Sequence, residues 1–353
     1  MTTPQTTSGR PRPWWRRVRI DRFLLIIIAA ALLGTVLPVH GAGVPTMTWV
    51  SRIMLGLLFF FYGVRLKRTE ALAGLRHWRL HLVILGCTFI VFPLIGLALR
   101  PLEPGVISPD LYRGLLWICL VPGTVQSAIN FTSIARGNVA GAIVASSLSN
   151  ILGVVATPLL AMAVMSTTGL SLSASTMGNI ALQVLVPFMA GQALRTWLIG
   201  FVSRHTWLPY LDQLTIALVV YLAFSSGRRE GIWHQVQPGE LVTLIAISLA
   251  LLAFMLWFTW TFARVLGFNR RDQIAIQFNG TKKSLTTGVP MAAVLFPGSV
   301  VGLIVLPLMI FHQAQLMACS AIAGRYARKD DAWLDTPGRS WWHHRRQGAG
   351  DAG

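Results

Sequence analysis

The sequence predicts an all-α polytopic membrane protein of about ten transmembrane helices, arranged as two inverted repeats of five. Three observations predict it. The 353 residues are 54% hydrophobic and only 12% charged, against about 25% charged in an ordinary soluble domain. Apolar runs near the ~20 residues that span a bilayer recur along the whole length. Two of these runs, each the fourth of its set of five, are interrupted by polar and helix-disrupting residues. Five is odd, so the two sets insert with opposite orientation.

In chain order, residues 1–22 form a basic tail with Arg10, Arg12, Arg16, Arg17, Arg19 and Arg22 beside Trp14 and Trp15. A secretory leader also joins a basic start to a short apolar core. No clear small-x-small cleavage site follows, and another span begins almost at once, so Phe23 to Leu37 reads as the first transmembrane helix. Spans are expected at 23–39, 47–66, 79–99, 111–135, 138–167, 174–200, 211–227, 240–267, 271–297 and 299–324. The transmembrane domain is then 23–324, with repeat one at about 23–167 and repeat two at about 174–324. Residues 325–353 form a polar tail.

The loops set the orientation. Arg65, Lys67, Arg68, Arg76 and Arg79 follow span two, Arg136 span four, Arg204 span six, Arg264, Arg270 and Arg271 span eight, and Arg325, Arg328 and Lys329 span ten. The loops at 40–46, 168–173 and 297–299 hold no Lys or Arg; those with Arg100 and Arg113, and with Arg228 and Arg229, are less clean. Positive loops stay inside, so both termini are expected in the cytoplasm, with the protein in the plasma (inner) membrane. This distribution also accounts for the net charge of +18 without nucleic acid. In the C-terminal tail, Trp341, Trp342, Arg345 and Arg346 suit anionic headgroups, while His343 and His344 alone do not make a metal site. Cys87, Cys119 and Cys319 lie in apolar stretches without metal or redox spacing and read as small buried hydrophobes.

The chemistry is concentrated in span nine, QIAIQFNGTKKSLTTGVPMAAVLFP, from Gln273 to Pro297. Its middle holds Asn279, Gly280, Thr281, Lys282, Lys283, Ser284, Thr286 and Thr287. A charge at mid-bilayer is costly and marks a cavity or a partner. Asn279-Gly280 disfavours continuous helix, and broken helix at membrane depth is tolerated where it is enclosed by protein or lines a cavity. Span four matches it, with Pro122-Gly123 followed by Thr124, Gln126, Ser127, Asn130 and Thr132. Simple kinking would explain span four but not two lysines in span nine. Paired interrupted spans point to a transporter binding site, where helix N-termini meet anions and C-termini meet cations.

The stretches NGTKKSLTTGVPMAAVLF, VPGTVQSAINFTSIARGNVAGAI and LPLMIFHQAQLMACSAIAGRYA resemble the bile acid:sodium symporter family, in its divergent branch, over all ten spans. The resemblance implies a core of spans 3–5 and 8–10 moving against a panel of spans 1, 2, 6 and 7, with broken spans four and nine crossing at mid-membrane. It also implies two sodium ions near the crossing. This sequence departs there. Aligned on Gly280, the family's carboxylate position is Phe278, its glutamine and asparagine positions are Lys282 and Lys283, and its serine is kept as Ser284. In span five the hydroxyl positions are Ala142 and Ser146, and in span four the serine is Ser127. All twelve acidic residues fall near span ends, in loops or in tails. A hard cation wants several oxygens, preferably charged, so the sodium sites read as lost or altered.

The functional expectation is a secondary transporter of a small organic anion, working by alternating access, with lysine replacing sodium. Adjacent helical residues point about 100° apart, so one lysine neutralises helix C-terminal carbonyls while the other faces the anion or cavity water. A lysine that gains and loses its proton would couple transport to a proton gradient; uniport is the uncoupled form. Candidate binding residues are Gln126, Ser127, Asn130, Ser146, Asn279, Thr281, Lys282, Lys283, Ser284, Thr287 and His312. His312, near Gln313 and Gln315 in span ten, reads as a helix–helix hydrogen bond rather than a proton relay. Sodium or a proton is the possible coupling ion, and no cofactor is expected. Alternatives are a sodium symporter with a rearranged site, a transport-dead regulator or receptor, a channel, and lysines that merely brace the helices. Enzyme readings find no HExxH, P-loop or intramembrane Asp pair, and Ser284 and Lys283 would diverge on a helix rather than form a dyad.

Overall fold

The structure, a computed structural model, describes residues 22–65, 77–165, 181–231 and 237–334. Residues 1–21, the loop bearing Lys67, Arg68 and Arg76, the stretch 168–173 and the tail with His343 and His344 lie outside the described residues.

Among the described residues every regular element is helical. The chain runs through α1 (Arg22–Val36), α2 (Gly43–Arg65), α3 (Trp78–Gly86), a π-turn (Cys87–Val91) and α4 (Phe92–Ala98). It continues through α5 (Pro109–Leu120), α6 (Gln126–Ile134) and α7 (Val139–Met165). A second π-turn (Ala181–Leu185) leads into α8 (Val186–Ala193), α9 (Arg195–Arg204) and α10 (Leu208–Arg229). Then come α11 (Pro238–Val265), α12 (Arg270–Thr281), α13 (Leu285–Leu295), α14 (Gly298–Tyr326) and the short α15 (Asp331–Leu334).

Six of these helical segments are long and apolar enough to cross a membrane, and seven if the bent α8–α9 pair is one span. The six match expected spans two, three, five, seven, eight and ten. The residues expected to form span one hold the 15-residue α1, and those expected to form spans four and nine each hold two helices. Span six differs from its expected course. The chain turns by 92° between α8 and α9, so the helix does not run straight to residue 200. Arg195 and the exposed Trp197 open the new direction, and such residues belong at headgroup level rather than in hydrocarbon.

The break in span nine is also displaced. Asn279 and Gly280 are helical, and the helix ends only after Thr281. Lys282 and Ser284 are extended, and the Ser284 hydroxyl caps α13 by accepting from the Thr287 amide at 3.2 Å. The Asn-Gly pair stays helical because Asn279 Nδ2 donates back to the Ala275 carbonyl (2.8 Å) while its Oδ1 accepts from Ser146 (2.6 Å). Gly280 serves packing: a Cβ there would come 3.2 Å from Thr259 and 3.3 Å from Cys87.

Helices α1, α2, α8 and α10 pack on one another, while α3–α7 and α11–α14 enclose the two breaks. The α2–α8 crossing is backbone on backbone. A Cβ on Gly63 would overlap the Phe188 carbonyl, and one on Gly191 the Phe60 carbonyl. Without a hydrophobic drive in lipid, such close approach is a main source of helix affinity. Gly63→Ala is therefore expected to lower stability by about 1–3 kcal/mol in thermal denaturation in detergent. Gly56→Ala, on the same helix with nothing within 4 Å, should leave it unchanged.

Candidate functional site

A helix that stops inside a membrane protein leaves its last carbonyls without partners, and each needs a donor. At the end of α5 every carbonyl from Cys119 to Gly123 has one. Cys119 and Val121 accept from Lys283 Nζ at 3.0 and 2.9 Å. Leu120 accepts from the Thr157 hydroxyl at 2.9 Å. Pro122 accepts from the Ser284 amide at 2.8 Å and Gly123 from Asn150 Nδ2 at 3.0 Å. The Gly123 amide donates to Ser149 at 3.1 Å. The two breaks thus touch directly, joined by Ser284 and Lys283.

Lys283 has a third acceptor, the Thr88 carbonyl at 3.0 Å, and that carbonyl is free for a reason written in the sequence. In the π-turn the Phe92 amide bonds back to Cys87. The next amide, which would serve Thr88 in that register, belongs to Pro93 and has no hydrogen. An ammonium has three donors, so Lys283 is fully satisfied, with the Phe92 ring 4.0 Å from Nζ. Its backbone is held as firmly: Gln315 accepts from its amide (2.9 Å) and donates to its carbonyl (2.8 Å). His312 Nδ1 lies 2.9 Å from Gln315 Nε2 one turn along the same helix and 3.4 Å from the Lys283 carbonyl.

Lys282 is the opposite case. It is fully buried, and its Nζ has no hydrogen-bond partner among the described residues. The ammonium lies over the Phe131 ring at 3.8 Å and 5.9 Å from that of Phe278. Ring faces attract a cation but do not replace the oxygens it had in water. Phe278 is thus one wall of the slot holding the ammonium. The expectation that the second lysine faces the cavity is not met.

The cavity itself is about 730 Å³, within the range of small-molecule sites. Of the candidate residues, Gln126, Ser127, Ser284, Thr287 and His312 line it. Asn130 lies beside it, bonded to Gln126 at 3.2 Å. Ser146 and Asn279 bond each other and tie α7 to α12, while Thr281 bonds Thr259 on α11 at 3.1 Å. These three and the lysines are not cavity-lining. Lys283 reaches carbonyls and Ser284 reaches Thr286 and Thr287, so no Ser–Lys dyad forms.

Four residues not singled out from the sequence complete the arrangement: Thr88, Ser149, Asn150 and Thr157. Asn150 also accepts from Thr287 at 3.1 Å, linking α7 to the start of α13. A signal was present. Ser146, Ser149, Asn150 and Thr157 recur on one face of an otherwise apolar span, the pattern of a helix presenting polar groups to a protein interior.

The model of the SBF-like CPA transporter family matches residues 21–328. The chain is 50% identical over 313 residues to protein PA2026 of Pseudomonas aeruginosa, covering 88% of this chain and 94% of that one. It is 45% identical over 313 residues, with the same coverage, to an Escherichia coli protein named "Putative symporter YfeH". A zebrafish (Danio rerio) protein named sodium/bile acid cotransporter 7 is 30% identical over 316 residues, 87% of this chain and 93% of that one. With apolar helices throughout and this match over the span region, the chain belongs to the SBF-like CPA transporter family and is an integral, multi-pass membrane transporter.

Proposed function

We propose that the protein carries a small organic anion through the inner membrane by alternating access, using a built-in lysine cation where sodium-coupled relatives use sodium. In this reading ten spans form two inverted repeats, about 23–167 and 174–324, with both termini cytoplasmic. The core of α3–α7 and α11–α14 moves against the panel of α1, α2, α8 and α10, and the cavity between them holds the substrate.

The observation that carries the reading is the Lys283 ammonium on three carbonyls at the junction of the two breaks. A helix C-terminus bears about half a negative charge, and an alkali ion would sit among such oxygens. Lys283 already occupies them. Lys282 supplies the coupling: its proton can leave without breaking a hydrogen bond, whereas that of Lys283 cannot. Gln126, Ser127, Ser284 and Thr287 take the polar end of the anion.

The test is thermal stabilisation of the purified protein by carboxylates and sulfonates, since a ligand of the folded state raises apparent stability. Stabilisation should be equal in sodium and in choline buffers and should change with pH. A requirement for sodium would replace this reading with a sodium symporter of rearranged site.

A further inference from the structure

The cavity wall carries one charged pair that this mechanism leaves unused. Among the described residues lining the cavity, Arg65 and Asp212 are the Asp, Glu, Lys and Arg side chains. Both belong to the panel, Arg65 ending α2 and Asp212 in the first turns of α10. They pair through Arg65 Nη1 and Asp212 Oδ2. The contact is one-pronged: among the described residues, Arg65 Nη2 and Asp212 Oδ1 are buried without a hydrogen-bond partner.

A guanidinium is a planar fork that meets a carboxylate or sulfonate with two parallel bonds. Half of this fork is idle. A buried donor left unpaired is costly, so the idle Nη2 is a group that an anionic ligand can meet. The same cavity offers apolar walls from Phe23, Phe188 and Ile216, suited to a hydrocarbon body.

We propose that Arg65 is the substrate-binding cation of the cavity. An organic acid takes both prongs of its guanidinium, and Asp212 is the resting partner that gives way. The proposal rests on reading the cavity as the transport site and adds the charge that selects acids. It also gives the panel a share in recognition, so a bound anion bridges panel and core. A neutral ester of the same shape brings no charge to set against the guanidinium and so leaves the pair closed.

The experiment is isothermal titration of the full-length protein in detergent with 2-naphthoate and naphthalene-2-sulfonate, with methyl 2-naphthoate as the neutral control. Both acids should bind the wild type more tightly than the ester. Asp212→Asn frees the fork and should tighten acid binding at least tenfold, while Arg65→Gln should weaken it at least tenfold. A variant carrying both changes keeps the wild-type net charge and leaves no lone ion, so it guards against a folding failure of Arg65→Gln. It should bind acids no better than Arg65→Gln. A pair that only ties α2 to α10 predicts no such opposition: unchanged acid affinity in both single variants overturns the proposal and leaves the transport reading standing. Absence of acid binding by both wild type and Asp212→Asn overturns the two together.

Discussion

Replacing Lys283 with methionine is expected to destabilise the folded protein by about 3–5 kcal/mol. Three buried carbonyls lose a donor at about 1–3 kcal/mol each, partly offset by removal of the buried charge. Methionine fills the volume but donates nothing. The carbonyls of Thr88, Cys119 and Val121 would then each lose the Lys283 donor at a fully buried position. Arginine should not rescue the loss, because a flat five-donor fork cannot reproduce a compact three-way contact. The measurement is thermal denaturation in detergent beside the wild type. A Lys283→Met protein as stable as wild type would mean that the three carbonyls have other partners.

The same substitution one residue earlier should behave in the opposite sense. Lys282→Met removes a buried ammonium that has no acceptor and leaves a thioether against Phe131, a favourable contact in its own right. Stability is expected to hold or to rise, by up to about 1–4 kcal/mol as when buried ions are replaced by apolar groups of like size. Transport should fall at least tenfold or lose its pH dependence if Lys282 is the proton-exchanging group proposed above. Flux of a carboxylate into proteoliposomes, with and without a pH gradient, reads this directly. Two adjacent lysines would then differ in sign for stability and agree for function. If Lys282→Met is destabilised as strongly as Lys283→Met, the two are both braces and the coupling role of Lys282 fails.

How far the sequence reaches is clearest at these residues. Lys282 and Lys283 stand out in an apolar segment because charge in hydrocarbon is costly, and that rule needs no coordinates. The rule cannot say which lysine does what. Assignment depends on a backbone that is extended at Lys282 and on carbonyls supplied from helices some 160 and 195 residues away in sequence. The span-four break is legible because Pro122 acts locally. The span-nine break is misplaced by local reasoning because side-chain bonds from Asn279 override the Asn-Gly signal. Span six shows the same limit: its composition suits a span, while its direction is set by where Arg195 and Trp197 settle. Arg65 and Asp212 read as ordinary span-end charges until the fold brings them to one cavity.

The π-turn before α4 has a consequence for descent. Its ladder holds one more residue per turn than an α-helix, and with Pro93 it bares the Thr88 carbonyl that Lys283 covers. A lineage that lost the lysine alone would inherit an uncovered oxygen in its core. One that regularised the helix alone would strand part of the ammonium. The extra residue, the proline and the lysine therefore depend on one another although 195 residues separate the lysine from the carbonyl it covers.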